Sequence, residues 1–139
     1  MTITPYLLYE DVEAAMRFLT SAFGFEEVLR FDDPKGYVSH AEMRLGDDVI
    51  YLGDPGEQYR NPAGLGAATV LIGVGDLDDV DALCERARAA GAQISEEPAD
   101  QEYGERRFSA VDPEGHHWHF SRPIADIAPE NWGATTTPR

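Results

Sequence analysis

The stretch Asp112-Pro113-Glu114-Gly115-His116-His117-Trp118-His119-Phe120 combines a turn, an alternating strand and three of the four histidines of the chain. In Asp-Pro-x-Gly, proline presets φ and glycine takes the last, strained position, so the runs on either side are expected to form an antiparallel hairpin. Successive side chains of a strand point to opposite faces. His117 and His119 therefore share one face, and His116, Trp118 and Phe120 the other. One face should be core and the other a site.

Working outward, the same grammar occurs twice. Ile3 to Tyr9 reads as a strand, and Asp11 as the cap of a helix whose Val12, Ala15, Met16, Leu19 and Phe23 form one apolar stripe, stopped by Gly24. Phe25 to Phe31, Tyr37 to Leu45 and Val49 to Gly53 read as strands. After the Pro/Gly-rich loop from Asp54 to Gly66 the pattern restarts. Ala68 to Val74 is a strand, Asp76 a cap, Leu77, Val80, Cys84 and Ala87 the apolar side of a helix, and Gly91 its stop. Ala92 to Glu96, Arg106 to Val111 and His116 to Arg122 follow as strands. The halves correspond at an offset of 65 to 68 residues, matching Asp11 with Asp76, Thr4 with Thr69 and Tyr51-Leu52 with His119-Phe120.

The fold expected is α+β: two tandem βαβββ units, about 3–53 and 67–122, in a single domain spanning 1–122, followed by a C-terminal tail, 123–139, that contains Trp132. One helix covers one face of a four-stranded sheet. The helices are expected on the outer faces, over Pro5, Leu7, Tyr9, Ile50, Leu52, Trp118 and Phe120. Opposite parity places Thr4, Tyr6, Leu8, Val49, Tyr51, Thr69, His117 and His119 on the uncovered faces, with Phe108 and Ala110 beside the histidines across a hairpin turning at Asp112 to Gly115, unless a bulge in the turn changes the pairing. Two such faces enclose a cleft suited to a ligand.

Composition narrows the partners. The chain has 139 residues, 42% of them hydrophobic and 27% charged, in the range of globular proteins. Its 11 Lys+Arg against 26 Asp+Glu give a net charge of -15, which repels phosphate backbones and anionic lipid. No nucleic-acid or membrane partner is expected; a neutral or cationic small molecule is. The N-terminus shows no basic segment leading into an apolar one, and no apolar run approaches the roughly 20 residues that span a bilayer, so a cytoplasmic location is expected. The single cysteine, Cys84, excludes intrachain disulfides and cysteine-rich zinc sites, and it reads as a buried helix thiol.

Tyr9-Glu10-Asp11-Val12-Glu13-Ala14-Ala15-Met16-Arg17-Phe18-Leu19, the helix end Ala22-Phe23-Gly24-Phe25, Val74-Gly75-Asp76-Leu77 and Asp112-Pro113-Glu114-Gly115 before a strand together resemble the vicinal oxygen chelate superfamily, also called the glyoxalase/bleomycin resistance/extradiol dioxygenase group. The resemblance covers about residues 3 to 122. It implies the duplicated βαβββ fold, and activities that range from isomerases, epimerases, dioxygenases and thiol transferases to drug-binding proteins. Metal-using members take ligands from cleft-facing positions that fall here on Thr4, Tyr51, Thr69 and His119. Two hydroxyls, a phenol and one imidazole are a poor set for Zn, Ni or Fe(II), which need several imidazole or carboxylate donors converging at about 2 Å. No metal and no cofactor is expected.

The resemblance then implies the metal-free, bleomycin-resistance-like branch: a homodimer that sequesters an aromatic or cationic drug-like ligand. Its expected contacts here are Thr4, Tyr6, Tyr51, Thr69, Phe108, His117 and His119. The alternative is a metal-dependent lyase, isomerase or dioxygenase with a non-standard site around His119. His40 and Glu42, on one strand face, could join His119 in a two-histidine, one-carboxylate set, or simply form the polar outer face of their strand. Gly73-Val74-Gly75-Asp76 lacks the rest of a dinucleotide fingerprint.

Overall fold

A computed structural model describes residues 1–67 and 70–138. The first unit comprises β1 (Tyr6–Leu8), α1 (Val12–Phe23), β2 (Glu26–Asp32), β3 (Val38–Leu45) and β4 (Asp48–Gly53). A short helix, α2 (Pro62–Leu65), lies in the linker, where only an irregular loop was expected. The second unit comprises β5 (Leu71–Val74), α3 (Val80–Ala89), β6 (Gln93–Asp100), β7 (Glu105–Val111) and β8 (His117–Pro123). The sheets run β1-β4-β3-β2 and β5-β8-β7-β6, and in each the first pair is parallel and the others antiparallel. This is the expected α+β architecture of two βαβββ units.

Helix α1 begins where Asp11 accepts a hydrogen bond from the Ala14 amide, and ends at Gly24 with φ of 82°. In the second unit the cap is Asp79, which accepts from the Ala82 amide, rather than Asp76. Asp76 sits at φ 58°, in the left-handed region that a helix start cannot use, and Leu77 stays outside the helix with its amide bonded to the Ser121 carbonyl. The pattern Asp-Leu-Asp-Asp offers three capping carboxylates, and the sequence spacing favoured the wrong one.

The two helices lie on the sheet faces opposite the open ones and also pack on each other. Ala22, Cys84 and Ala87 are fully buried and short enough to let the helices approach. Arg86 of α3 donates to the Ser21 and Thr20 carbonyls at the end of α1, both at 3.0 Å. Phe23 of α1 reaches the second sheet, with ring centroids 5.4 Å from Trp118 and 4.6 Å from Phe120. One apolar core therefore joins both units. Burial of Cys84 raises its thiol pKa, in keeping with a packing role.

The Asp112–Phe120 stretch supplies the second joint. Buried Asp112 accepts from the Tyr9 hydroxyl at 2.7 Å, from Trp118 Nε1 at 3.3 Å, and from the amides of Glu114 at 3.1 Å and His116 at 3.0 Å. Glu114 accepts from the amides of Glu10 (2.6 Å) and Asp11 (3.0 Å) and from Asn61 Nδ2 (3.1 Å). His116, expected near solvent, is buried against the Tyr9 ring at 4.6 Å, with Nε2 2.7 Å from the Leu8 carbonyl. Gly115 takes φ of 93°, and a Cβ there would lie 2.4 Å from the Ala63 amide nitrogen. The turn thus clamps the first unit where β1 passes into α1. Burial, then the Asp112 carboxylate, pushes the Tyr9 phenol well above its ordinary pKa, so it stays a donor.

The tail returns over the second unit. Ile124 bonds the Gly104 carbonyl at 2.9 Å, and Trp132 meets the Tyr103 ring at 5.9 Å.

Candidate functional site

Each sheet leaves one face open. On the first, Tyr6 and Tyr51 are directly paired across β1 and β4, Glu42 faces Tyr51 from β3, and His40 lies further along that strand. Tyr6, His40 and Tyr51 form a triangle of rings, with centroids 5.6, 5.7 and 5.5 Å apart. The Tyr6 hydroxyl lies 2.8 Å from His40 Nδ1, and His40 Nε2 lies 3.5 Å from Glu42 Oε1. Glu42 thus orients the imidazole, and the imidazole fixes the phenol. A Cβ at Gly53 would come within 2.7 Å of the Tyr6 ring, so the missing side chain is what lets that ring lie where it does. Leu29 and Phe31 on β2 are opposite Glu42 and His40, and they leave an exposed apolar border to the triangle.

On the second sheet, Ser109 faces His119 and Arg107 faces Ser121. A cavity of about 320 Å³ opens there between Leu71, Glu96, Arg107, Ser109, His117 and His119. Burial, with Arg107 next in weight, lowers the His119 pKa from 6.5, so the imidazole is neutral at neutral pH. A Cβ at Gly73 would lie 2.8 Å from His119 Nε2. Histidine over glycine here repeats tyrosine over glycine in the first sheet.

The structure places the sequence-selected residues unevenly. Tyr6 and Tyr51 come together on the first open face, and His117 and His119 share the second. Thr4 lies just before β1, and Thr69 is outside the described residues. Phe108 is not on the open face: it is fully buried and stacked on Phe120 at 5.1 Å. The Asp112 amide bonds the His116 carbonyl, which makes the turn one residue longer than Asp-Pro-x-Gly alone, so Phe108 pairs with Phe120 and Ala110 with Trp118. Arg107 and Ser109 take the positions assigned to Phe108 and Ala110. They were missed for that reason, and only the turn length could have revealed them.

The register also shifts the repeat. Tyr6 pairs with Tyr51 and Gly73 with His119, so Gly73 is the counterpart of Tyr6, and Leu71 rather than Thr69 is the counterpart of Thr4. A donor set of Thr4, Tyr51, Leu71 and His119 does not fit a divalent metal, because leucine offers no lone pair and only one member is an imidazole. His40 and Glu42 sit on a different sheet from His119. No group of three or more His, Cys, Asp or Glu among the described residues has metal-binding geometry. Among those residues, too, no open-face side chain of one sheet hydrogen-bonds to or stacks on one from the other, and no helix is long and apolar enough to cross a membrane.

The family model described as Glyoxalase/Bleomycin resistance protein/Dioxygenase superfamily matches residues 3–120. An uncharacterized protein of Mycobacterium tuberculosis is 32% identical over 130 residues, covering 90% of this chain and 76% of its own. The crystal structure of TioX from Micromonospora sp. ML1 is 30% identical, with a TM-score of 0.70 over 92% of this chain and 100% of that one. A glyoxalase/bleomycin resistance protein/dioxygenase from Nocardioides superposes with a TM-score of 0.69 at 24% identity, over 93% of this chain and 87% of its own. That last likeness concerns the fold alone.

Proposed function

Because the chain belongs to the Glyoxalase/Bleomycin resistance protein/Dioxygenase superfamily, we propose that it is a small-molecule binding protein that takes a flat aromatic ligand, neutral or cationic, without a metal. The observation that carries this reading is the Tyr6-His40-Tyr51 triangle on an uncovered sheet face, three rings held in mutual contact with no group of three or more His, Cys, Asp or Glu among the described residues placed to hold a metal. Such rings offer π-faces and edges to a planar guest, and a net charge of -15 draws cations toward them.

Two copies of the chain build the cleft in this reading. Among the described residues no open-face side chain of one sheet hydrogen-bonds to or stacks on one of the other, and the first face carries exposed Leu29, Phe31 and Val49 as well as Tyr6, an apolar surface that a symmetric partner would cover. Light scattering should then give twice the 15.3 kDa chain mass.

Binding is tested by titrating 9-aminoacridine, a flat aromatic cation, into the metal-stripped protein and into Tyr51→Ala. The wild type should bind, and the variant about fivefold more weakly, as expected for the loss of one aromatic contact worth about 1 kcal/mol. No binding by the wild type, or wild-type affinity in both Tyr51→Ala and Tyr6→Ala, overturns the reading. Turnover that appears only with added Ni, Zn or Fe would establish the metal-dependent alternative.

A further inference from the structure

We propose that the open face of the second sheet holds a carboxylate-binding subsite, in which the Arg107 guanidinium, flanked by Ser109 and His119, receives the anionic end of the ligand. The inference rests on the ligand-binding reading above and adds one carboxylate to that aromatic ligand, which makes a cationic ligand a zwitterion.

Two adjacent arginines make the case. Arg106 points to the helix side and is saturated: Nε and Nη2 meet Asp81 at 2.7 and 2.9 Å, and Nη1 meets Asp100 at 2.9 Å. Arg107 points to the open side. It is the less exposed of the two, at 21% against 29%, yet the carboxylate it reaches, Glu96, stands further off than those of Arg106. Its Nη1 donates to the Tyr103 hydroxyl at 2.7 Å, and its Nη2 reaches Glu96 only at 3.5 Å. Its Nε is buried without a hydrogen-bond partner among the described residues.

With 26 acidic side chains against 11 basic ones, this chain has carboxylates to spare. Arg30, Arg44 and Arg88 each meet one more closely than Arg107 meets Glu96. A partly buried guanidinium left short of partners costs stability, and binding sites are where such a cost is retained. Its fork of donors matches the two oxygens of a carboxylate.

The surroundings fit the same guest. The cavity of about 320 Å³ places Leu71 and His117 beside Arg107, apolar and aromatic surface for the body of an organic acid. Ser109 and the neutral His119 each have a hydrogen to donate. Glu96 lies on an exposed side chain and can turn outward as the ligand's carboxylate takes its place. Because the whole protein is acidic, simple anions are not drawn in from a distance, so contact with Arg107 has to provide the selectivity.

The test compares benzoate with benzamide, which has the same ring and no charge, by NMR titration of the full-length chain. Benzoate should shift the signals of Leu71, Ser109 and His119 and raise the His119 pKa, since an adjacent anion offsets Arg107. It should bind at least tenfold more tightly than benzamide at that face, and Arg107→Met should abolish the preference while His119 returns toward an ordinary imidazole pKa. Equal response to the two compounds in the wild type overturns the subsite, a result that does not depend on whether the variant folds. Unchanged benzoate preference in a folded Arg107→Met protein overturns it as well. Signals of Tyr6 and Tyr51 report the aromatic face separately. Their response to benzamide without any benzoate preference removes the subsite and keeps the aromatic reading, whereas silence at both faces removes both.

Discussion

Tyr51 and His119 stand at equivalent points of the repeat, each on the strand that pairs parallel with the first strand of its unit, and they keep different company. Around Tyr51 the neighbours are Tyr6, His40 and Glu42, a set of rings with one carboxylate to steer them. Around His119 they are Gly73, Ser109 and Arg107, a small recess with one cation. The scaffold is duplicated, whereas the chemistry is not. A duplicated fold frees each open face to specialise, because the residues that hold the sheet lie on the other parity.

The largest effect is expected at the joint between the units. Asp112→Ala removes the acceptor for Tyr9, Trp118 and two amides, and leaves those buried donors without a partner. The expected loss is about 3 kcal/mol in urea unfolding followed by tryptophan fluorescence, with Asp112→Asn in between. A loss below about 1 kcal/mol would show that the units stand independently of the clamp.

The glycines under the rings come next in size. Gly53→Ala should displace Tyr6, and Gly73→Ala should displace His119, each costing about 1 kcal/mol and each disturbing only its own face. Crosswise NMR perturbation, with Gly73→Ala moving Tyr6 signals, would contradict separate faces.

The smallest effect is the pH response of His119. Its folded-state pKa lies below the unfolded value, so above about pH 6.5 the imidazole is neutral in both states and costs nothing. As pH falls through 6.5 the unfolded state takes up the proton first, and stability drops until the folded-state pKa is passed. Arg107 opposes protonation, while Glu105 and Glu96 favour it. His119→Gln should flatten this part of the pH-stability curve, and an unchanged slope would remove His119 as its source.

Much of this was legible in the sequence. Asp11, Gly24 and the stripe from Val12 to Phe23 specify α1, and the alternation of His117, Trp118, His119 and Phe120 assigns core and open faces correctly. What escaped were features that hang on a single residue of register. Asp79 displaced Asp76 as the cap, and the extra residue in the Asp112–His116 turn put Arg107 and Ser109 where Phe108 and Ala110 were expected. Strand parity gives a face only when the loop is counted correctly, and side-chain bonding at Asp112 sets that count here. The Tyr6-His40-Glu42 alignment joins three residues from two strands, which no local spacing encodes.

The Asp112 clamp also bears on how the chain reaches this structure. Tyr9 and Asp112 are 103 residues apart, and Glu114 holds amides at equally distant positions. During synthesis the first strand emerges long before its partner turn exists, so it pairs with β4 of its own unit before Tyr9, Glu10 and Asp11 can meet the turn. Closing so large a loop is entropically slow, which places the clamp late in folding. Weakening it should therefore speed unfolding far more than it slows refolding.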